Sequence, residues 1–405
     1  MPIPVFATLS VAGGFGLFAA QRHGQGSQPL VAQLTPKSAR QVDRGDRTDD
    51  TRLNTDRHLA LSCGLVGSAA LGGLGLPVMP MVSLSGLIYL SGYFIYRGAQ
   101  QWQRTHRVTL ETNDAVLSTG LLLTGHMGAG ILFATLYFTG RKLEEAGDAA
   151  LDHFADEDAL FATTPANTSK QWRGWIDQSA LPLLTLSVVS TPFLGFGRAV
   201  SVLVANFAYD YRVFVPLGTI RFLRTAQAHD IHIRNAHVFD LLQQTDVLVI
   251  DGAGVDDLAR PDVAPADDLV VRWVEPGRAA AVVAAEQAAG RVVAYFHPHP
   301  QTAARAGADL AIACPQEGAS MDGVHVVVPS NRVADLFALS AALEARRRRG
   351  LGLALAPSIL NLSGIFLWYF SPLTVLLVDF GGMGAGLINA VWTPPVSPER
   401  AKRFI

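Results

Sequence analysis

Long apolar runs divide this chain and predict membrane-spanning helices. Several are about twenty residues long, the length that an α-helix needs to cross a bilayer. The predicted spans are residues 58–77, 79–98, 113–124, 126–141, 179–196, 198–223, 351–370 and 372–392. A further apolar segment, residues 3–20, is just long enough to span, and packing on the membrane surface or against a partner is the alternative for it. We therefore expect eight or nine spans.

Between the sixth and seventh predicted spans the pattern changes to alternating strands and helices. Short runs rich in β-branched residues predict strands at 246–251, 270–274, 291–296, 308–313 and 324–328. Intervening segments predict helices at 276–289, with Pro276 in the first turn, and at 331–349. Alternating strands and helices indicate a parallel sheet. The predicted fold class is a multi-span α-helical membrane protein with a small α/β domain.

Basic residues at the ends of the spans predict the topology. Arg97, Arg104 and Arg107 follow the second span, and Arg141 and Lys142 follow the fourth. By the positive-inside rule these ends face the cytoplasm. We therefore expect a multi-pass protein of a bacterial-type inner membrane, with its α/β domain in the cytoplasm.

These patterns predict seven successive parts of the chain. They are an N-terminal apolar segment and polar linker (1–57), a first four-helix membrane part (58–142), an acidic cytoplasmic linker (143–178), a membrane helix pair (179–223), the small cytoplasmic α/β domain (224–350), a C-terminal membrane helix pair (351–392) and a tail (393–405).

Composition agrees with a membrane protein. Of the 405 residues, 49% are hydrophobic and only 16% are charged, and the mean hydropathy is positive. A net charge of −2 without a long basic tract excludes nucleic acid as a partner. Cys63 and Cys314 lie far apart in apolar contexts, so we expect inert thiols. The run Arg346–Arg349 flanks the seventh span, where phosphate or anionic lipid headgroups are its expected neighbours.

Charged residues inside apolar spans are the first candidates for a functional site. Asp210 and Arg212 lie in the sixth span and Asp379 lies in the last. Such residues are costly in a membrane unless they pair with each other or face a cavity. The alternatives are an ion site, a structural Asp–Arg pair, with Arg212–Asp379 as one pairing, or a contact to a partner subunit.

The histidines outside the spans do not form a firm metal motif. The spacing of His229, His232 and His237 does not put all three on one helical face, so we expect solvated side chains. His297 and His299 could bind a soft metal, but an exposed His-Pro turn is the favoured interpretation.

The strand at 246–251 delivers Asp251 into a turn that contains Gly252 and Gly254. Strand, aspartate and Gly254 resemble the phosphorylation strand of P-type ATPases, whose motif there is Asp-Lys-Thr-Gly-Thr. The resemblance covers residues 58–392, favours the heavy-metal-transporting branch and adds Asn361 and Met383, which match polar positions of the family's final helix pair. It implies a haloacid dehalogenase-like α/β domain in which Asp251 is the remnant of the phosphorylated aspartate.

The chain departs from the family's chemical motifs at each step. After Asp251 it has Gly252, Ala253, Gly254 and Val255, so the lysine and both threonines that hold the phosphate are missing. Ala253 also stands where a phosphatase of the haloacid dehalogenase type would need a second acid.

Other family motifs are missing as well. The family's magnesium-binding Gly-Asp-Gly-x-Asn-Asp corresponds to 296–302 here, and the Cys-Pro-Cys of the heavy-metal branch corresponds to 205–212. The interval 143–178 has no Thr-Gly-Glu and is too short for an actuator domain, and 257–268 is too short for a nucleotide-binding domain.

These losses predict a pseudo-ATPase. We interpret the chain as a catalytically inactive scaffold, assembly factor or regulatory subunit of a membrane complex, with other membrane-protein subunits as partners and without ATP or another cofactor. The alternative is ATP-independent binding or passage of a metal cation through the retained helices. Its candidate site is formed by Asp210, Arg212, Asn361, Met383 and Asp379.

Overall fold

The computed structural model describes residues 49–75, 78–153, 178–206, 208–251 and 269–391. These residues form two compact units. The helical unit contains residues 49–146, 178–213 and 351–386. The sheet unit contains residues 147–153, 214–350 and 387–391, apart from the gap at 252–268. The predictions for 3–20, for the loop 257–268 and for the tail lie outside the described residues.

The described helices follow one another along the chain. They are α1 (Asp49–Gly73), α2 (Met79–Thr105), α3 (Leu110–Leu123), α4 (Met127–His153), α5 (Ala180–Leu194), α6 (Phe196–Ser201), α7 (Ala208–Gln227), α8 (His237–Gln244), α9 (Ala279–Ala288), α10 (Pro300–Arg305), α11 (Val333–Leu367) and α12 (Pro372–Val391), with 3₁₀ turns at Val202–Val204 and Ser330–Arg332.

Three described helices are long and apolar enough to cross a membrane. They lie at Met79–Thr105, Ser330–Leu367 and Pro372–Val391, and Ala180–Leu194 is apolar but shorter. Large apolar side chains such as Ile88, Leu377 and Phe380 are more than half exposed on these helices, which is expected where lipid is the solvent. The chain is a membrane protein, and the number of eight or nine spans stays a prediction.

Local sequence explains where the first helices begin and end. Pro80 stands in the first turn of α2, where its missing N–H costs nothing. After the last residue of α2, Thr105, the capping residue His106 adopts the left-handed conformation. Thr109 and Thr112 form a capping box at the start of α3. Gly125, with φ of +74°, makes the turn between α3 and α4.

The start of the predicted acidic linker is helical. Helix α4 continues to His153, so residues 143–153 extend the fourth predicted span. The reason is local, because 143–153 contains good helix formers such as Leu143, Glu144 and Glu145 and no proline. Residues 154–177 lie outside the described parts.

The sixth predicted span is interrupted. Helix α6 passes into the 3₁₀ turn Val202–Val204, residues 205 and 206 are not helical, and α7 begins at Ala208. The amide of Ala205 bonds to the carbonyl of Val202, so the α-helical ladder tightens and stops. Asn206 is buried at this break. A continuous helix over 198–223 was therefore the wrong prediction.

The sheet unit is built on a six-stranded sheet with the order β1-β6-β5-β4-β2-β3. Its strands are β1 (His232–Ile233), β2 (Val247–Asp251), β3 (Val270–Val274), β4 (Val293–His297), β5 (Leu310–Ala313) and β6 (Val326–Val327). β2 to β6 are parallel, as predicted. The edge strand β1 pairs antiparallel with β6, so the sheet is mixed.

Alternate residues of the central strands cover both faces of this sheet. One face carries Leu248, Ile250 and Phe296, which pack with residues of α8 and the first half of α11. The other carries Val247, Val249 and Tyr295, which pack with α9 and α10. A parallel strand buried on both faces reads as a continuous apolar run, which is why β2 could be predicted.

Two predicted helices have different bounds. Helix α9 begins at Ala279 rather than at Pro276, because the preceding turn includes Gly277 at φ of +83°. Helix α11 continues without a break from Val333 to Leu367, although separate elements at 331–349 and 351–370 were predicted. Its arginines are good helix formers, and Gly350 and Gly352 lower helix propensity without stopping the helix.

Candidate functional site

Asp251 is the last residue of β2, at the carboxyl edge of the sheet. Ligand and catalytic groups of parallel α/β sheets collect at this edge. The side chain is only 3% exposed, so its carboxyl group needs partners from the protein.

Tyr295 and His297 of the neighbouring strand β4 supply these partners. Because Val249 is aligned with Tyr295 in the parallel ladder, residues 249 and 251 share a face with 295 and 297. The Tyr295 hydroxyl donates a hydrogen bond of 3.0 Å to Oδ2 of Asp251, and Nε2 of His297 lies 3.9 Å from the same oxygen. We call Asp251, Tyr295 and His297 the sheet-edge cluster.

Both neighbours of Asp251 favour their neutral forms. Burial, and then the negative charge of Asp251, raise the pKa of the Tyr295 hydroxyl, which keeps it a donor. Burial lowers the pKa of His297, although Asp251 opposes this shift. Neither group adds a positive charge beside the carboxylate at neutral pH.

The backbone orients the His297 ring. Its Nδ1 lies 2.9 Å from the amide nitrogen of His299, which can only donate, and 3.3 Å from the carbonyl oxygen of His299. The shorter contact requires a lone pair on Nδ1, so the neutral ring carries its proton on Nε2, the nitrogen nearer Asp251.

The prediction of an exposed His-Pro turn is wrong for His297 and correct for His299. Strand β4 extends one residue further than predicted, and the pairing of His297 with Ala313 buries its side chain. His299 is exposed, with Nδ1 at 3.3 Å from Oε1 of Gln316. Among the described residues, no group of three or more His, Cys, Asp or Glu side chains is arranged to hold a metal ion. His229, His232 and His237 therefore do not form such a group.

A second group of candidates lies in the helical unit. Asp210, in the first turn of α7, is 3% exposed, and its Oδ2 has no hydrogen-bond partner among the described residues. Asp379 of α12 is half-buried, and the two carboxyl groups are close enough to interact electrostatically. Two carboxyl groups that are 169 residues apart in the sequence (379 − 210) thus lie within electrostatic range of each other.

The other predicted residues of this site have separate contacts. Asn361 of α11 is fully buried, donates through Nδ2 to the carbonyl of Val375 at 3.1 Å, and leaves Oδ1 without a hydrogen-bond partner within the described ranges. Met383 is buried, and its Cε lies close to Gly140 of α4. Arg212 is half-buried, and its pairing with Asp379 stays a prediction.

Sequence reasoning missed a buried polar pair at the start of α3. Asn113 and Asp114 are both less than 5% exposed, and Nδ2 of Asn113 donates to the carbonyl of Ala180 at 2.9 Å. The available signal was the adjacent Asn-Asp pair at the beginning of a predicted span. The predicted span starts at residue 113, whereas α3 begins three residues earlier, at Leu110.

Comparisons with known proteins agree with this architecture. The fold is similar to the crystal structure of a zinc-transporting PIB-type ATPase in the E2·Pi state, with a TM-score of 0.56 and 12% sequence identity over 84% of this chain and 99% of that one. A zinc-transporting PIB-type ATPase in the E2P state gives a TM-score of 0.47 and 11% identity over 82% and 98% of the two chains. No family model and no curated protein matches the sequence. At this identity the first likeness shows a shared fold, that of a P-type ATPase.

Proposed function

We propose that this membrane protein with a P-type ATPase fold is catalytically inactive and acts as a scaffold, assembly or regulatory subunit of a membrane complex. One observation carries the proposal. The Asp251 carboxylate, which corresponds to the nucleophile of the family, accepts a hydrogen bond from the buried Tyr295 hydroxyl.

The sheet-edge cluster is a poor environment for phosphoryl transfer. Such transfer depends on positive groups and metal ions that neutralise the phosphoryl oxygens. Tyr295 gives Asp251 an uncharged donor, and His297 is a neutral ring at the end of β4, where the resemblance implies the start of the magnesium loop. Gly252, Ala253 and Gly254 add no side-chain charge after the aspartate.

The retained core of the α/β domain favours a binding role. Strand β2, its parallel neighbours and the helices on both faces form a packed domain. We propose that this domain is a remnant of the haloacid dehalogenase type. A domain that keeps its core while its nucleophile is held by a tyrosine is suited to binding. We expect the partners to be other membrane-protein subunits, and we expect no ATP binding.

A pull-down of the tagged full-length chain from native membranes in mild detergent tests the proposal. A partner at constant stoichiometry, identified by mass spectrometry and retained by Asp251→Asn, is expected. An isolated monomer or homo-oligomer in repeated preparations contradicts the subunit role.

A phosphorylation assay tests inactivity separately. The purified chain, given Mg²⁺ and either ATP or inorganic phosphate and quenched in acid, is expected to carry no phosphoenzyme. An acid-stable phosphoenzyme that is lost in Asp251→Asn and kept in Asp246→Asn contradicts it. Asp246 is a suitable control because it precedes the same strand and its Oδ2 accepts a hydrogen bond from the amide of Val292.

A second candidate function is ATP-independent binding or passage of a metal cation. Asp210 and Asp379 favour it, because two neighbouring carboxyl groups in a membrane unit repel each other unless a cation or proton lies between them. Oδ2 of Asp210, which has no hydrogen-bond partner among the described residues, supplies an oxygen ligand. Carboxylates bind Zn²⁺ as well as harder ions, so the zinc-transporting fold relative makes Zn²⁺ the first ion to test.

Thermal unfolding of the detergent-purified chain with and without Zn²⁺ tests this function. Zn²⁺ is expected to raise the midpoint of the wild type, and Asp210→Asn or Asp379→Asn is expected to abolish the rise. Asp56→Asn is the matched control, because Asp56 is a half-exposed carboxylate of the same unit that pairs with Lys142. An equal rise in all variants, or no rise with Zn²⁺, Mn²⁺ or Mg²⁺, contradicts the proposed site.

A further inference from the structure

Helix α11 contains four consecutive arginines, Arg346–Arg349. The contacts of three of them with the protein explain their positions, and those of Arg346 do not. Arg347 pairs with Asp240 and also donates to Thr219. Arg348 is exposed and pairs with Glu344, and Arg349 donates to the carbonyl of Ala345.

Arg346 is different because its guanidinium group is buried and few hydrogen bonds offset the loss of its contacts with water. The residue is 6% exposed, and neither Nε nor Nη1 has a hydrogen-bond partner among the described residues. Its guanidinium carbon lies 5.4 Å from the centre of the Phe222 ring, a contact that satisfies no N–H group. Burying a charged donor without a partner is costly, so this arrangement calls for an acceptor.

The charges around Arg346 favour a negatively charged acceptor. Arg221, in the last two turns of α7, and Arg349 both act electrostatically on Arg346 with charge of the same sign. An anion beside Arg346 would offset the repulsion that these two positive charges exert on its buried guanidinium group. Nδ2 of Asn389 donates to the carbonyl of Arg346 and holds the helix backbone there.

We infer that Arg346, with Arg221 and Arg349, forms a binding site for a phosphate group. A guanidinium fork matches two phosphate oxygens at once, and a weakly hydrated guanidinium tolerates burial. The site directly precedes the apolar half of α11, which begins at Gly350, so a lipid headgroup at the membrane boundary is one source. A soluble phosphate compound is the other. This inference is independent of the proposed function.

Binding of defined probes to the full-length chain tests the site. The chain is purified in a neutral detergent, and phosphatidylglycerol, glycerol phosphate or inorganic phosphate is added separately. The measurements are the thermal midpoint and the lipid retained in native mass spectrometry. The wild type is expected to retain phosphatidylglycerol and to gain stability, and Arg346→Gln is expected to weaken this binding about tenfold, the loss of one charge-assisted contact.

Arg348→Gln is the matched control, because it removes the same charge from an exposed residue of the same run. Retention in Arg348→Gln and loss in Arg346→Gln support a built site, whereas equal loss in both shows attraction to net charge alone and overturns it. A gain in stability with glycerol phosphate or inorganic phosphate that Arg346→Gln abolishes identifies the soluble source. If no probe changes the wild type, the site is refuted.

A charge-conserving variant decides the case in which Arg346→Gln does not fold. Arg346→Lys keeps the charge but loses the two-pronged geometry, so lipid retention is expected to fall below that of the wild type. Unchanged retention in a folded Arg346→Lys protein contradicts recognition by the guanidinium group.

Discussion

The Tyr295 hydroxyl and Oδ2 of Asp251 are joined by a hydrogen bond of 3.0 Å between two adjacent parallel strands. Both side chains are almost fully buried, so the bond stabilises the very aspartate that the P-type ATPase resemblance singles out. The relationship has a measurable consequence for stability.

Replacing Tyr295 by phenylalanine removes the hydroxyl that donates to the buried Asp251 carboxylate. We expect Tyr295→Phe to destabilise the protein by about 1–3 kcal/mol, the contribution of a hydrogen bond to a charged group. The thermal midpoint in detergent measures the change, and Tyr96→Phe, at a side chain that is 64% exposed, is the control. Equal midpoints for Tyr295→Phe and the wild type would show that the bond contributes nothing.

His325 is expected to make the sheet unit sensitive to acid. Its Nδ1 accepts the amide of Ala311 at 2.9 Å, and burial, followed by the charge of Arg234, lowers its pKa to about 4. The folded form thus binds fewer protons than the unfolded form, whose pKa is about 6.5. Its contribution to stability is complete above about pH 6.5 and falls as the pH drops towards about 4, by up to about 3 kcal/mol.

Hydrogen exchange of the Ala311 amide between neutral pH and pH 4 measures this loss, after correction for intrinsic exchange rates. Protection is expected to fall on acidification in the wild type and in His232→Gln, whose histidine is exposed on the neighbouring edge strand. His325→Gln, which cannot gain this charge, is expected to have a flatter pH profile. Parallel profiles for both variants would contradict the assignment.

Arg347 and Asp240 form an ion pair with both side chains at most 10% exposed. Removing one partner leaves the other charge buried, so we expect Arg347→Gln to cost about 3–5 kcal/mol. The adjacent Arg348→Gln, whose side chain is 80% exposed in its pair with Glu344, is expected to cost about 0–1 kcal/mol. Thermal unfolding of the two variants gives the difference, and similar midpoints would refute the buried pair.

Gly382 is the close-approach point between α11 and α12. A Cβ atom on Gly382 would lie 3.0 Å from Cβ of Pro357 and even closer to Cγ of the same ring. A Cβ atom on Gly381 would meet no atom within 4 Å. We expect Gly382→Ala to destabilise the helix pair by about 1–3 kcal/mol through overpacking. Gly381→Ala is expected to be neutral or stabilising, and detergent stability or yield of folded protein distinguishes the two. Tolerance of both changes would mean that the helices separate readily.

Elements with a local hydrophobic pattern could be predicted from consecutive residues. Apolar runs predicted α2, the second half of α11 and α12, and the continuous apolar strand β2 predicted a buried parallel sheet with Asp251 at its edge. These predictions succeed because both features produce an uninterrupted run of apolar residues. A helix that crosses a bilayer needs about twenty of them, and a strand buried on both faces is apolar at nearly every position.

Contacts between side chains that are distant in the sequence could not be predicted and follow from the packing of the fold. The placement of Tyr295 beside Asp251 depends on strand register, and the burial of His297 depends on one further residue of β4. The electrostatic interaction of Asp210 with Asp379 joins two elements that are far apart in the sequence. The isolation of Arg346 within a run of four arginines depends on which face of α11 is covered. Such contacts depend on how separate helices and strands pack together, and the local sequence pattern contains no information about this packing.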